Sequence, residues 1–150
     1  MDYRHIARSY NELHKEEQMK KLEIISKHIK PKGLLLDIGA GTGISTSYFK
    51  DKATCISLDS CYELLEQSPC MKICAKAEKL PFKKKTFDVI ISVTALHHSD
   101  LRKALKEIRR VAKSDAQIAL TFFKRSKNIP EKLGGFKKID EEKDVIFIRY

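Results

Sequence analysis

Three glycines lie at alternate positions in the segment LLLDIGAGTG, residues 34–43. They are Gly39, Gly41 and Gly43, and Asp37 precedes them at the end of an apolar run. A chain omits side chains this densely where its backbone turns sharply or where another group approaches it closely. The spacing therefore predicts a turn that binds a ligand through its backbone, and the alternative is a tight turn without a ligand.

A second carboxylate is placed to bind the sugar of a nucleoside ligand. Asp59 ends the next apolar segment, ATCISLD, roughly 20 residues beyond the first glycines. An acidic residue there accepts hydrogen bonds from both hydroxyls of a ribose. Dinucleotide-binding turns have a third glycine where this chain has Ile44, so an NAD-dependent oxidoreductase is a distant alternative. The other interpretation of Asp59 is a cap for a helix that Ser60 and Glu63 begin as a capping box.

Two histidines are the candidates for acid–base chemistry. His97 and His98 follow the apolar segment FDVIISV, and imidazole titrates near neutral pH. Either is a candidate general base if a reacting group must lose a proton. The alternative is that one of them packs beneath the sheet edge or caps the next helix.

The cysteines predict no metal centre and no redox pair. Their spacing fits neither paired zinc knuckles nor a thioredoxin-type motif, so we expect reduced thiols that pack as small apolar side chains. A metal held by Cys70, Cys74 and either histidine is the weaker alternative, because such patterns often mislead. The four thiols are those of Cys55, Cys61, Cys70 and Cys74.

The apolar periodicity alternates between helix and strand along the chain. It predicts helices over about residues 12–30, from residue 44, from residue 60 and over 100–113, the last one capped by Asp100 or Ser99. It predicts strands at 34–37, 53–59, 71–75, 87–93 and 117–123, which are uniformly apolar as strands covered on both faces are. Beyond residue 135, two further strands joined by an acidic turn complete the pattern.

This alternation predicts the fold class. Strands that alternate with helices imply right-handed crossovers, and hence an α/β fold with a doubly wound, Rossmann-like, mostly parallel sheet and an antiparallel C-terminal strand pair. We expect a single domain in which residues 1–30 form a helical cover, 31–123 the ligand-binding core and 124–150 the edge strands. In such sheets ligands bind outside the carboxyl ends of the strands, where the glycine turn lies.

Together these motifs carry a family resemblance. LLLDIGAGTG, the acidic end of CISLD, AEKLPF, FDVIISVTALHH and the following helix resemble, in that order, a class I S-adenosylmethionine-dependent methyltransferase of type 11. Within the family the chain is similar to the quinone-biosynthesis and tRNA-wobble methyltransferases. The resemblance implies S-adenosylmethionine as cofactor and methyl transfer to an oxygen, nitrogen, sulfur or activated-carbon acceptor. The alternative is a catalytically silent S-adenosylmethionine-binding partner or scaffold subunit.

The resemblance also implies a role for each site residue. Asp37 would face the amino group of the cofactor directly or through water, and Asp59 would hold its ribose. Lys76 stands where the family often has an aspartate that contacts the adenine, so backbone groups of Ala77 would serve instead. The other implied contacts are Gly39, Ala40, Gly41 and Gly43 at the methionine end, Ser60, Cys61, Ala77 and Glu78 around the adenine, Val93, Thr94, Leu96 and His97 near the methyl group, and Tyr10 as a cover.

The formal net charge of +10 at pH 7 comes mainly from lysine. Such a surplus favours RNA or a ribonucleoprotein as partner, with the basic face of the helix from Leu101 to Lys113 contributing. The equal alternative is the solvated, lysine-rich surface typical of thermophiles. The short segment 124–135 predicts an open site that a large substrate, a homodimer or a partner subunit completes. No segment is apolar for long enough to span a bilayer and no signal peptide begins the chain, so we expect a cytoplasmic protein.

Overall fold

The predicted alternation of helices and strands is the observed one. A computed structural model describes the backbone of residues 3–127 and 129–150, and the side chains among them from residue 12 onward. A short 3-10 helix, Leu96–His98, follows the fourth strand. In chain order the other elements are α1 (Tyr3–His28), β1 (Leu34–Ile38), α2 (Ile44–Phe49), β2 (Thr54–Asp59), α3 (Tyr62–Leu65), β3 (Met71–Cys74), β4 (Phe87–Val93), α4 (Leu101–Val111), β5 (Ala112–Phe123), β6 (Lys137–Asp140) and β7 (Asp144–Arg149).

The described residues form a seven-stranded sheet in the order β3-β2-β1-β4-β5-β7-β6. β1 to β5 are parallel to their neighbours, whereas β7 runs antiparallel to both β5 and β6. This confirms the predicted mostly parallel sheet with an antiparallel C-terminal pair. The strand order reverses between β1 and β4, and ligands of such sheets bind in the crevice at that point.

Helices cover both faces of the sheet because successive strand residues point to opposite sides. Leu35 packs with the α1 side, and its neighbour Leu36 packs with the α4 side. The helices bury one apolar stripe each, which is the main source of their stability. The stripe residues are Leu22, Ile25 and Ile29 of α1 on one face, and Ala104, Ile108 and Val111 of α4 on the other.

The largest boundary differences from the prediction are at the starts of α1 and β5. α1 begins at Tyr3, well before the predicted start at about residue 12 and before its apolar stripe. β5 begins at Ala112, because the register shifts between Phe87, which pairs with Ala112, and Val89, which pairs with Gln117. The polar residues 113–115 within that irregular stretch carry no strand pattern, so periodicity could not find them.

The cysteines are all free thiols. Cys55 is buried, and loss of solvation raises the pKa of its thiol to about 12, so it is a poor nucleophile. Cys74 is exposed, which shows that the prediction of uniformly packed thiols was wrong there. The reason is that β3 is an edge strand and shields little of its surface.

Among the described residues, no helix combines the length and the apolar composition that crossing a bilayer requires.

Candidate functional site

Two adjoining cavities lie at the carboxyl ends of the parallel strands. The helix-side cavity, about 600 Å³, is bounded by α1, the glycine turn and the end of β4. The strand-side cavity, about 520 Å³, is bounded by the same turn, the end of β2 and the segment after β4. Gly39, Gly41 and Thr94 line both cavities, so the two form one crevice. Each volume falls within the range of small-molecule sites.

The glycine turn serves packing at two positions and leaves space at the third. All three glycines have positive φ, 71° at Gly39, 55° at Gly41 and 90° at Gly43. A Cβ atom at Gly39 would overlap the side chain of Ala95, and one at Gly43 would lie 2.8 Å from Ser68 Oγ. At Gly41 it would meet no atom within 4 Å. Gly41 therefore leaves an open cradle that faces both cavities.

Asp37 lies behind the glycine turn and is buried. Thr46 Oγ1 donates a hydrogen bond to Asp37 Oδ2 at 2.7 Å, whereas Oδ1 has no hydrogen-bond partner in the described part of the chain. Burial raises the pKa of this carboxyl to about 7, and the nearby charge of Asp59 adds to that effect. A buried acceptor without a donor suits a cationic amino group, which would favour the ionised carboxylate.

Asp59 ties the glycine turn to the start of α3. Its Oδ2 accepts a hydrogen bond from the N–H of Gly41 at 2.9 Å, and its Oδ1 accepts one from the N–H of Cys61, also at 2.9 Å. A carboxylate has about four acceptor sites, so two remain for hydroxyl groups in the strand-side cavity that Asp59 lines. The position suits a ribose and keeps the turn in place at the same time.

The predicted capping box at Ser60 and Glu63 is not formed. α3 begins one residue later, with Cys61 as its N-cap and no side-chain capping bond. Asp59 holds the N–H of Cys61, which moves the helix start past Ser60. The capping interpretation of Asp59 is thus partly realised, but through its own carboxylate.

The crevice gathers most of the residues that the sequence singled out. Asp37, Gly43, Cys61 and His97 are not among its lining residues, and the side chain of Tyr10 lies outside the described part of α1. Lys76, the departure from the family pattern, lines the strand-side cavity. The predicted residues that line one or both cavities are Gly39, Ala40, Gly41, Asp59, Ser60, Ala77, Glu78, Val93, Thr94, Leu96 and His98.

The two histidines occupy different environments. His98 lines the strand-side cavity and is exposed. The ring of His97 contacts that of His98, with 3.9 Å between the centroids and a tilt of 46°, and its centroid lies 6.1 Å from that of Phe123. Burial lowers the pKa of His97, and the charges of His98 and Lys21 lower it further. His97 thus matches the packing alternative in its position, and a role as general base stays a prediction for both.

Lys21, a buried lysine that the sequence analysis did not single out, bonds a residue that lines the crevice. Lys21 of α1 donates a hydrogen bond from Nζ to Thr94 Oγ1 at 2.8 Å. The same ammonium lies 3.2 Å from Asp144 Oδ1, an ion pair without hydrogen-bond alignment, and 4.4 Å from the ring centroid of Phe123. Thr94 has φ 54° and also bonds Thr121. Lys21 therefore joins α1 and β7 to a strained residue that lines both cavities.

α1 covers the site and also contributes side chains to the wall of the helix-side cavity. His14, Lys15 and Gln18 line the helix-side cavity, and none of them was predicted. His14, Gln18 and Lys21 are spaced by four and three residues, which places them on one side of a helix, and Lys15 is adjacent to His14. That polar row beside the apolar stripe was the signal in the sequence.

Comparisons with known proteins agree with this geometry. The family model Methyltransf_11, a methyltransferase domain, matches residues 36–120. The protein MJ1252 of Methanocaldococcus jannaschii is 34% identical over an alignment of 171 positions, which covers 99% of this chain and 68% of that protein. Demethylmenaquinone methyltransferase of Corynebacterium urealyticum is 33% identical over 63% of this chain and 44% of its own length. The human probable tRNA methyltransferase 9B is 32% identical over 61% of this chain and 21% of its own length.

Solved structures share the fold. YcgJ of Bacillus subtilis superposes with a TM-score of 0.65 at 31% identity, over 70% of this chain and 51% of that one. A putative S-adenosylmethionine-dependent methyltransferase of Methanococcus maripaludis superposes with a TM-score of 0.77 at 16% identity, over 95% of this chain and 90% of that one. A putative methyltransferase in complex with the Haloferax volcanii Trm112 activator has a TM-score of 0.70 at 16% identity, over 77% and 57%. The chain thus spans about two thirds of MJ1252 and half or less of YcgJ and the two sequence-matched methyltransferases.

Proposed function

This chain belongs to the class I S-adenosylmethionine-dependent methyltransferase family, and we propose that it methylates an acceptor that enters through the open helix-side cavity. The cofactor of the family is S-adenosylmethionine, and the crevice residues suit it. The observation that carries the proposal is the open cradle at Gly41, which lines both cavities and donates its N–H to Asp59, a carboxylate with acceptor sites left for a ligand.

The two cavities divide the binding work in this proposal. Asp59 accepts hydrogen bonds from ribose hydroxyls in the strand-side cavity, and the backbone of Ala77 borders the base. Asp37 lines neither cavity, so in this proposal it stabilises the amino group at the methionine end from behind the glycine turn, through water or through its charge. These contacts fix the position of the ligand at both ends, which leaves the helix-side cavity for the acceptor.

The chemistry asks mainly for orientation. S-adenosylmethionine, when bound, supplies a methyl group made electrophilic by its sulfonium. Val93 and Thr94 form the floor against which an acceptor is held, and Lys21 keeps Thr94 in place. Orientation of two reactants can lower a barrier by up to about 7–11 kcal/mol. His98 lines the strand-side cavity, so it is the candidate to take a proton from an acceptor whose reacting group reaches the boundary between the two cavities.

The mouth of the crevice leaves room for a further protein or a large substrate. Its described cover is α1, through residues such as His14 and Lys15. A second copy of the chain or a partner subunit completes the acceptor side in this proposal, and the fold shared with a Trm112-activated methyltransferase supports it. The catalytically silent alternative predicts cofactor binding without methyl transfer to RNA, quinone or protein fractions.

Replacement of Gly41 by alanine tests the cradle. The added methyl group meets no protein atom, yet it occupies space that a bound ligand needs. Overpacking of this kind costs about 1–3 kcal/mol, so S-adenosylhomocysteine binding is expected to weaken by about tenfold or more in calorimetry.

Gly135→Ala is the matched control. Gly135 also has positive φ, 83°, and also has open space where a Cβ would lie. Both variants lose about 1–2 kcal/mol of stability from the left-handed backbone conformation. Equal S-adenosylhomocysteine affinity in the two variants would show that nothing binds at the cradle.

A further inference from the structure

A third cavity, about 310 Å³, lies at the opposite end of the sheet from the crevice. It opens between the residues before β4, the end of α4, the start of β5 and the end of β7. Six of its eight lining residues are Lys or Arg, and none is acidic. The lining residues are Lys84, Lys85, Arg109, Arg110, Ala112, Lys113, Ser114 and Arg149.

Among the described residues, carboxylates form ion pairs with two of these six cations. Arg110 pairs with Glu107 at 2.6 Å, and its remaining donors bond two backbone carbonyl groups. Lys113 Nζ lies 2.9 Å from Asp88 Oδ1. These two pairs fix the walls of the cavity and leave the charge of the other lining cations uncompensated.

The other four cations have no acidic partner among the described residues. Lys84, Lys85 and Arg109 are exposed and form no ion pair there. Arg149 donates hydrogen bonds to two backbone carbonyl groups and faces no carboxylate. Burial and the charge of Arg109 both lower the pKa of Arg149, as expected where like charges crowd together. An anion in this cavity would relieve the repulsion.

α4 connects this cavity to the crevice. The helix begins just after His98 and Ser99, which line the strand-side cavity, and ends at the basic cavity. Over its 11 residues it spans about 16 Å. Arg102, Lys106 and Arg109 are exposed and spaced by four and three residues, so they form one row that points away from the buried stripe.

We propose that this row and the basic cavity form a phosphate-binding track for a nucleic-acid strand whose nearer end reaches the crevice. A single phosphate would need only the cavity, whereas cations repeated along a helix match a polymer with repeated phosphates. Arginine suits such contacts because its planar guanidinium binds phosphate oxygens in pairs. The track rests on the proposed function in one respect, since the strand carries the methyl acceptor from the strand-side edge of the crevice, where α4 begins, into the helix-side cavity.

The test measures binding of a labelled, unstructured single-stranded RNA of about 20 nucleotides at several salt concentrations. The track variant is Arg102→Ala/Lys106→Ala/Arg109→Ala. Each lost phosphate contact lowers the slope of log affinity against log salt by about 0.7 for a single strand, so the slope is expected to fall by about 2. The affinity at low salt is expected to fall by at least about tenfold.

The control removes the same number of charges elsewhere. Lys52→Ala/Lys137→Ala/Lys138→Ala changes three exposed lysines that line neither the crevice nor the basic cavity. It is expected to keep most of the affinity and the slope. Equal losses in both variants would overturn the track, and so would wild-type RNA binding by the track variant.

Two further measurements separate the competing explanations. Track-dependent binding to phosphatidylserine vesicles without RNA binding would replace the nucleic-acid strand by a membrane surface and overturn the proposal. S-adenosylhomocysteine affinity is expected to be unchanged in the track variant, because no track residue lines the crevice. If the wild type failed to bind S-adenosylhomocysteine, the proposed function would fall whatever the RNA result.

Discussion

Replacement of Asp59 by alanine is expected to weaken S-adenosylhomocysteine binding by at least about tenfold. The carboxylate offers acceptor sites to the ribose, and hydrogen bonds to a charged acceptor are worth about 1.5–3 kcal/mol each. It also anchors the turn through the N–H of Gly41 at 2.9 Å, so its loss loosens the cradle as well. At about 1.4 kcal/mol per decade, even one lost bond gives the expected effect in calorimetry.

Two controls bracket this result. Asp51→Ala removes an exposed carboxylate from the turn before β2, outside the crevice, and is expected to bind as the wild type does. His97→Ala is also expected to keep its cofactor affinity, because His97 does not line either cavity. Undiminished binding by Asp59→Ala would refute the assignment of the ribose site. Full methyl transfer by His97→Ala would remove only its candidate role as general base.

Replacement of Lys21 by methionine is expected to lower the free energy of unfolding by about 3–5 kcal/mol, the usual effect of removing one partner of a buried ion pair. Lys21 is 5% exposed, and its loss leaves the Asp144 carboxylate with no cation in the described surroundings. Thr94 would also lose the bond that helps to hold its left-handed conformation. Denaturant titration measures the change.

The neighbouring exposed residue supplies the control. Lys20→Met makes the same chemical change one position away on α1 and is expected to alter stability by no more than about 0.5 kcal/mol. Adding Asp144→Asn to Lys21→Met removes the unpaired charge and is expected to restore part of the loss. If Lys21→Met were no more destabilising than Lys20→Met, the ion pair would not hold α1 to the crevice floor.

Much of the fold could be predicted because its central strands, such as β1, β2 and β4, are buried on both faces. The segment Phe87–Val93 is apolar throughout, and its predicted bounds agree with those of β4. Patterns fail where burial ends, as in the polar start of β5, where backbone pairing across a register shift decides the structure. The start of α3 depends on which acceptor binds the N–H of Cys61, and in the structure this acceptor is the side chain of Asp59.

In the site, too, features set by neighbouring residues could be predicted, whereas contacts between distant residues could not. The spacing of the glycines and Asp59 predicted a crevice because local backbone geometry is encoded in neighbouring residues. Local spacing puts Lys21 on the polar side of α1 with His14 and Gln18, but it could not show that Lys21 is buried, since the residue that it bonds, Thr94, is distant in the sequence. A buried lysine and an exposed one look alike until the fold brings a carboxylate and a hydroxyl to the ammonium.

The central claim is that the crevice binds S-adenosylmethionine, and titration of the wild-type protein with S-adenosylhomocysteine and with NAD tests it most directly. The open cradle at Gly41 and the acceptor sites of Asp59 predict saturable binding of S-adenosylhomocysteine and much weaker binding of NAD. Tighter binding of NAD than of S-adenosylhomocysteine would contradict the account.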